Sequence, residues 1–114
     1  MGKSIKLLRI YTDEAAYMGD RNVYEYIASL AREKQLAGVT VLEALIGFGH
    51  SPRLHRGHVL ESRRAIVIEI VDEEAKLRDF VAALDDVPDV GLMTLEKVEI
   101  LGGKAEQAIP KTDE

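Results

Sequence analysis

Every histidine of this 114-residue chain, and most of its clustered arginine, falls in one stretch. Gly47-Phe48-Gly49-His50-Ser51-Pro52-Arg53-Leu54-His55-Arg56-Gly57-His58 is followed closely by Arg63 and Arg64. Arginine presents a planar fork of donors that matches phosphate or carboxylate, and glycine lets backbone amides approach an anion. These residue types point to anion binding, with Gly47, Gly49, His50, Arg53, His55, Arg56, Arg63 and Arg64 as the candidate ligand-binding set. Two or three arginine contacts at roughly 1.5–3 kcal/mol each would give millimolar to micromolar affinity before ordering costs. The Gly-Phe-Gly run is not a dinucleotide-binding fingerprint, because Pro52 stands where the third glycine belongs and no helix follows. A strand-end turn and a solvated basic loop paired with an acidic body are the plainer alternatives.

His50, His55 and His58 supply the ligand count of an open metal site, although their spacing matches neither a helical pair nor a finger. Hydrogen-bonding histidines that sense the charge of a bound anion are the competing reading. No nucleophile arrangement accompanies them beyond the adjacent Ser51. The acids at Glu73, Glu74, Asp85 and Asp86 read as charges at helix ends, so a non-enzymatic role is expected.

The net charge of −5 argues against nucleic acid as a partner, since phosphate-backbone affinity needs clustered cations. Gly47–Arg64 alone carries about +3, leaving about −8 for the remainder. A basic loop on an acidic body suits a small anion better than a polymer. Absence of cysteine fits a reducing compartment. No apolar run approaches the ~20 residues that span a bilayer, and no signal-peptide core follows Met1–Lys6, so the cytoplasm is the expected location.

The elements that position this stretch follow from hydrophobic period. Ile5–Thr12 reads as a strand apolar on both faces, and Asp13–Gly19 as a connection. From Asp20 or Arg21 to about Ala37, the spacing Val23, Ile27, Leu30, Ala31 predicts a helix, with Asp20 as N-cap and Gly38 taking the left-handed conformation that ends it. Val39–Ile46 and Ala65–Val71 return to strand alternation with apolar residues on both sides. Asp72–Leu84 predicts a second helix, capped by Asp72 and burying Leu77, Phe80, Val81 and Leu84. Gly91–Leu101 gives a last strand whose phase shift after Leu95 suggests a bulge.

Strand, helix, strand, twice over, is the βαββαβ plan of an α+β, ferredoxin-like fold: a four-stranded antiparallel sheet with both helices on one face. The expected domain is 1–101, with a polar tail over 102–114. Gly47–Ser62, at about sixteen residues, exceeds the usual ~12–15 for a connection without function. Two helices cover one sheet face while the strands are apolar on both, which predicts burial of the second face in a homotrimer.

The Gly38-Val39-Thr40-Val41, Gly47-Phe48-Gly49-His50, His55-Arg56 and Ile68-Glu69-Ile70-Val71-Asp72 segments resemble the PII-like family catalogued as domain of unknown function 190, from about Ile5 through Leu101. The resemblance implies a ferredoxin-like trimer akin to PII signalling proteins and CutA, with the long loop in the place of the PII T-loop. It further implies an effector such as ATP, ADP or AMP in clefts between subunits, no required cofactor, and a protein partner such as a membrane transporter or channel. The alternative within that resemblance is a CutA-like metal-binding protein. In PII proteins the segment before the last strand is glycine-rich and basic. Here Asp85-Asp86-Val87-Pro88-Asp89 is acidic, which returns anion binding to Gly47–Arg64.

Overall fold

The computed structural model describes residues 4–44 and 64–103. Its elements run β1 (Ile5–Asp13), β2 (Tyr17–Met18), β3 (Arg21–Asn22), α1 (Val23–Glu33), β4 (Thr40–Glu43), β5 (Ala65–Glu73), α2 (Glu74–Ala83) and β6 (Leu92–Lys97). The main sheet has the order β4-β5-β1-β6 and all its pairings are antiparallel. This is the ferredoxin-like arrangement, mixed α+β with two helices on one face of the sheet. Among the described residues no helix is long and apolar enough to cross a membrane.

Central β1 pairs with β5 from Ile5↔Glu73 to Asp13↔Ala65 and with β6 from Lys6↔Lys97 to Tyr11↔Leu92. Because side chains alternate along a strand, this register puts Leu8 and Ile10 on the same face as Ile66, Ile68 and Ile70. There they are buried against Val23, Ile27 and Ala31 of α1 and Leu77 and Phe80 of α2. The alternate positions form the other face. Leu7, Tyr11, Val67 and Val71 are only half-buried there, with Leu42 44% exposed on edge strand β4.

Arg9 lies in the middle of that second face. Its guanidinium donates to Glu69 at 3.0 Å and to Glu96 at 2.7 Å, one acid from each flanking strand. The hydrogen bond to Glu69, then that to Glu96, holds the guanidinium above its already high pKa. An apolar face with a self-satisfied ion cluster at its centre can be covered without leaving a lone charge buried.

Several boundaries differ from expectation, each for a local reason. The 13–19 connection contains half of a small hairpin, Tyr17↔Asn22 and Met18↔Arg21, turned at Gly19 with φ +68°. Helix α1 starts after Asn22, not Asp20, because Asn22 is extended and Val23 N–H already bonds the Ala16 carbonyl. Its end precedes Gly38 by several residues. Gln35 takes the left-handed turn at φ 62°, its N–H bonding the Arg32 carbonyl while Leu36 N–H bonds Ala31. That bond pair is the Schellman arrangement with Gln35 where glycine is usual.

Asp72 is not the helix cap. It belongs to β5, Glu73 occupies the cap position without a side-chain cap bond, and the Asp72 side chain is engaged elsewhere. Strand β4 is described as Thr40–Glu43, shorter than Val39–Ile46, and the end of that range lies outside the described residues. In β6 the register is continuous to Lys97, where the strand ends, so the phase change after Leu95 marks a strand end and not a bulge.

Two stability predictions follow from this packing. Phe80 is essentially fully buried between sheet and helix, so Phe80→Ala should lower unfolding free energy by about 3–5 kcal/mol, read as a shifted denaturant midpoint. Glu74 accepts from Arg78 at 2.7 Å and from Ser4 at 3.0 Å, which hold its carboxyl below the ordinary value near 4.5. A depressed carboxylate stabilises fully above its ordinary pKa and loses that contribution as pH falls through the lowered one. Glu74→Gln should therefore flatten the pH dependence of stability below about 4.5, measured by chemical denaturation across that range.

Candidate functional site

The described residues enclose a half-open hollow of about 410 Å³ where α1 passes into β4. One wall is helical, with Ala28, Ser29, Ala31 and Arg32; the other is the returning chain, Leu36-Ala37-Gly38-Val39. The helix supplies small residues beside its buried stripe, so the returning backbone can run close by. The volume lies within the ~300–1,000 Å³ of small-molecule sites.

Charge sits at its rim. Arg32 lines the hollow directly. Arg21, from the β2–β3 hairpin, donates to Ser29 Oγ at 2.9 Å and lies 5.8 Å from the Tyr26 ring centroid. The aromatic face and the serine thus hold a second guanidinium against the same helical wall. A mainly apolar cavity bordered by arginine suits an anion that carries an apolar body.

The returning wall is fixed from below. Asp72, 2% exposed, accepts the Ala37 N–H at 2.9 Å and the Glu73 N–H at 2.7 Å. Lys76 stands 3.5 Å from the same carboxylate and donates to the Gln35 carbonyl at 3.3 Å. One buried acid therefore ties the start of α2 to the segment that lines the hollow.

Of the sequence-derived candidates, Arg64 is described, and its guanidinium lies 3.9 Å from Glu43, both partly exposed. That pair closes the end of the β4–β5 hairpin farthest from the hollow, roughly 10 Å away along β4. Gly47, Gly49, His50, Arg53, His55, Arg56, His58 and Arg63 lie outside the described residues. Among the described residues no group of three histidine, cysteine or acidic side chains could hold a metal ion. The acidic 85–89 segment joins α2 to β6, with Thr12 Oγ donating to the Asp89 carbonyl at 2.8 Å.

Arg21, Ser29 and Arg32 were not singled out by sequence, because they read as the polar face of an amphipathic helix and its approach. The one available signal was Gly38-Val39, which carries part of the family resemblance and lines the hollow.

Residues 5–100 match the family model of domain of unknown function 190, described as an uncharacterised ACR. A UPF0166 protein of Aquifex aeolicus (strain VF5) is 38% identical over 98 residues, covering 84% of this chain and 92% of the relative. A second UPF0166 protein from that organism is 29% identical over 96 residues, covering 82% and 94%. Among solved structures, CPII from Thiomonas intermedia K12, bound to ADP, AMP and acetate, superposes with a TM-score of 0.65 at 15% identity, covering 90% of this chain and 93% of that one. CutA1 from the psychrotrophic Shewanella sp. SIB1 gives 0.58 at 13% identity, covering 96% and 94%. At these identities the structural likeness speaks to fold alone.

The turn that shapes the hollow gives a paired prediction. Gln35→Gly should raise stability by about 1 kcal/mol by relieving a left-handed non-glycine residue. Gly38→Ala should be tolerated, since Gly38 has no left-handed φ and nothing lies within 4 Å of an added Cβ. Thermal melts of the two variants check both; an earlier melt for Gln35→Gly than for the wild type, or a marked loss in Gly38→Ala, would contradict this assignment of the helix end.

Proposed function

The chain belongs to the domain of unknown function 190 family, whose fold is that of PII and CutA proteins, and we propose that it is a non-enzymatic, PII-like regulator. A small anionic metabolite, with an adenine nucleotide as the first choice, binds at a hollow of this chain that a neighbouring subunit closes into a cleft, and orders the 47–62 segment for a protein partner. The observation that carries this reading is the hollow at the entrance to β4, lined by Arg32, with Arg21 bonded to Ser29 of its helical wall. Its apolar walls suit a base, and Arg32 and Arg21 suit the charge. The chain leaving the hollow passes through four residues of β4 toward the stretch with Arg53 and Arg56.

The CPII structures from Thiomonas intermedia K12 hold ADP with AMP and acetate, or ADP with bicarbonate, so this fold accommodates nucleotides in another protein. The half-covered second sheet face, with Arg9 already neutralised by Glu69 and Glu96, suits burial between copies of the chain, and a homotrimer closes such faces on one another. Cytoplasmic location accords with a chain that has no cysteine.

A second reading, CutA-like metal binding through His50, His55 and His58, is favoured by the placement of all three histidines in one short stretch. Zn²⁺ or Cu²⁺ titration of the three His→Ala variants separates the two; indifference to all three removes the metal reading.

Calorimetric titration with ATP, ADP and AMP tests the first reading directly. Micromolar to millimolar binding is expected for the wild type, weakened at least tenfold in the Arg53→Ala/Arg56→Ala variant. No binding by the wild type, or equal binding by the variant, would sink it. Light scattering should report about three chains per particle, and a stable monomer at micromolar concentration would contradict the assembly.

A further inference from the structure

We infer that Asp72 is a positioning residue for the hollow: its buried carboxylate holds the Ala37 backbone in the conformation that makes the binding wall. The inference rests on the reading of the hollow as the effector site, and adds to it the group on which that site's shape depends.

The geometry is specific. Asp72 is the next-to-last residue of β5, opposite Lys6, and its side chain is on the buried helix-bearing side of the sheet. The two carboxylate oxygens divide the work: Oδ1 accepts from Glu73 N–H, where the chain turns into α2, and Oδ2 accepts from Ala37 N–H, thirty-five positions earlier. Ala37 lies in neither helix nor strand, so its amide depends on a side chain or water for its acceptor. Lys76, one helical turn on, keeps its ammonium 3.5 Å from Oδ2 and donates to the carbonyl of Gln35. A single carboxylate and its lysine thus grip the returning chain at both residues that flank Leu36.

That grip matters because the wall is otherwise lightly held. Gln35 is left-handed without being glycine, and Gly38, with nothing near its Cβ position, has no packing of its own. Strand β4 beyond it is an edge strand whose four residues are all exposed. Leu36 and Val39 pack partly on the core, but the polar bond to the backbone between them goes to Asp72, with Lys76 holding Gln35 just before it. The same clasp lies at the end of the β4–β5 pairing opposite Arg64 and Glu43.

Asparagine tests this without changing shape. It has one oxygen and one NH₂ in place of two oxygens, so it can satisfy only one of the Ala37 and Glu73 amides and presents a donor to the other. ADP affinity by calorimetry and melting temperature are measured for the full-length wild type, Asp72→Asn, Lys76→Ala, and Leu84→Ala as a control that weakens the core away from the clasp. The expected result is a Kd raised at least tenfold in Asp72→Asn and several-fold in Lys76→Ala, at a temperature where all are folded, with Leu84→Ala melting earlier at an unchanged Kd. If the wild type binds ADP and Asp72→Asn binds it equally, the positioning role is overturned while the functional reading stands. Equal loss of affinity in Leu84→Ala would also overturn it, by showing that general destabilisation is enough. Binding by none of the chains overturns the inference together with the reading on which it rests.

Discussion

The antiparallel pairing of β1 with β5, at the centre of the sheet, decides which residues enter the core and which form the second face. Nine consecutive residue pairs fix which side chains face the helices, and a shift of one would exchange Leu8, Ile10, Ile68 and Ile70 for Leu7, Arg9, Val67 and Glu69. The register is therefore set by the difference between a layer of isoleucine and leucine and a layer interrupted by charge. It also brings Arg9 beside Glu69, with Glu96 on the opposite strand, so the same pairing that makes the core neutralises the centre of the second face. At its end the register leaves Asp72 beneath the α1–β4 turn.

From that end the site is built. Helix α1 stops where a Schellman turn, closed at Gln35 and Leu36, sends the chain back along its own flank. The returning residues and the small side chains of the helix leave a hollow between them, and the Asp72 carboxylate holds the Ala37 amide there. Arg21 reaches the same helical wall from a hairpin of four paired residues, steadied by Tyr26 and Ser29. Core, turn and rim are thus successive consequences of one strand register, and the ligand chemistry proposed for the rim needs no residue outside that sequence of supports except the arginines of the following stretch.

Much of the fold was legible in the sequence because long elements carry period. The switch from two to 3.6 at Val23 and again at Leu77 marks both helices, and the strands between them have apolar runs that leave few other placements. What escaped had no period to show. Two-residue strands such as Tyr17–Met18 leave no alternation. Asp72 followed by two glutamates has the local signature of a helix cap, yet its acceptor is used by Ala37, a contact only the tertiary fold creates. Gly38 offered the obvious helix end, but the bonds from Gln35 and Leu36 had already closed the turn. The site was less legible for the same reason. Arg64 was singled out for its cluster and is found beside Glu43, whereas Arg21 and Arg32 looked like ordinary helix-surface charge until the returning chain was placed against them.

In the proposed function the hollow and the 47–62 segment respond to one ligand. Amide hydrogen exchange of the wild-type protein, compared with and without saturating ADP, tests it most directly. Slowed exchange is expected in two places, residues 36–39 and the 47–62 segment, with the β1–β5 ladder unchanged. Protection of 47–62 with none at 36–39, or no protection anywhere, would contradict it.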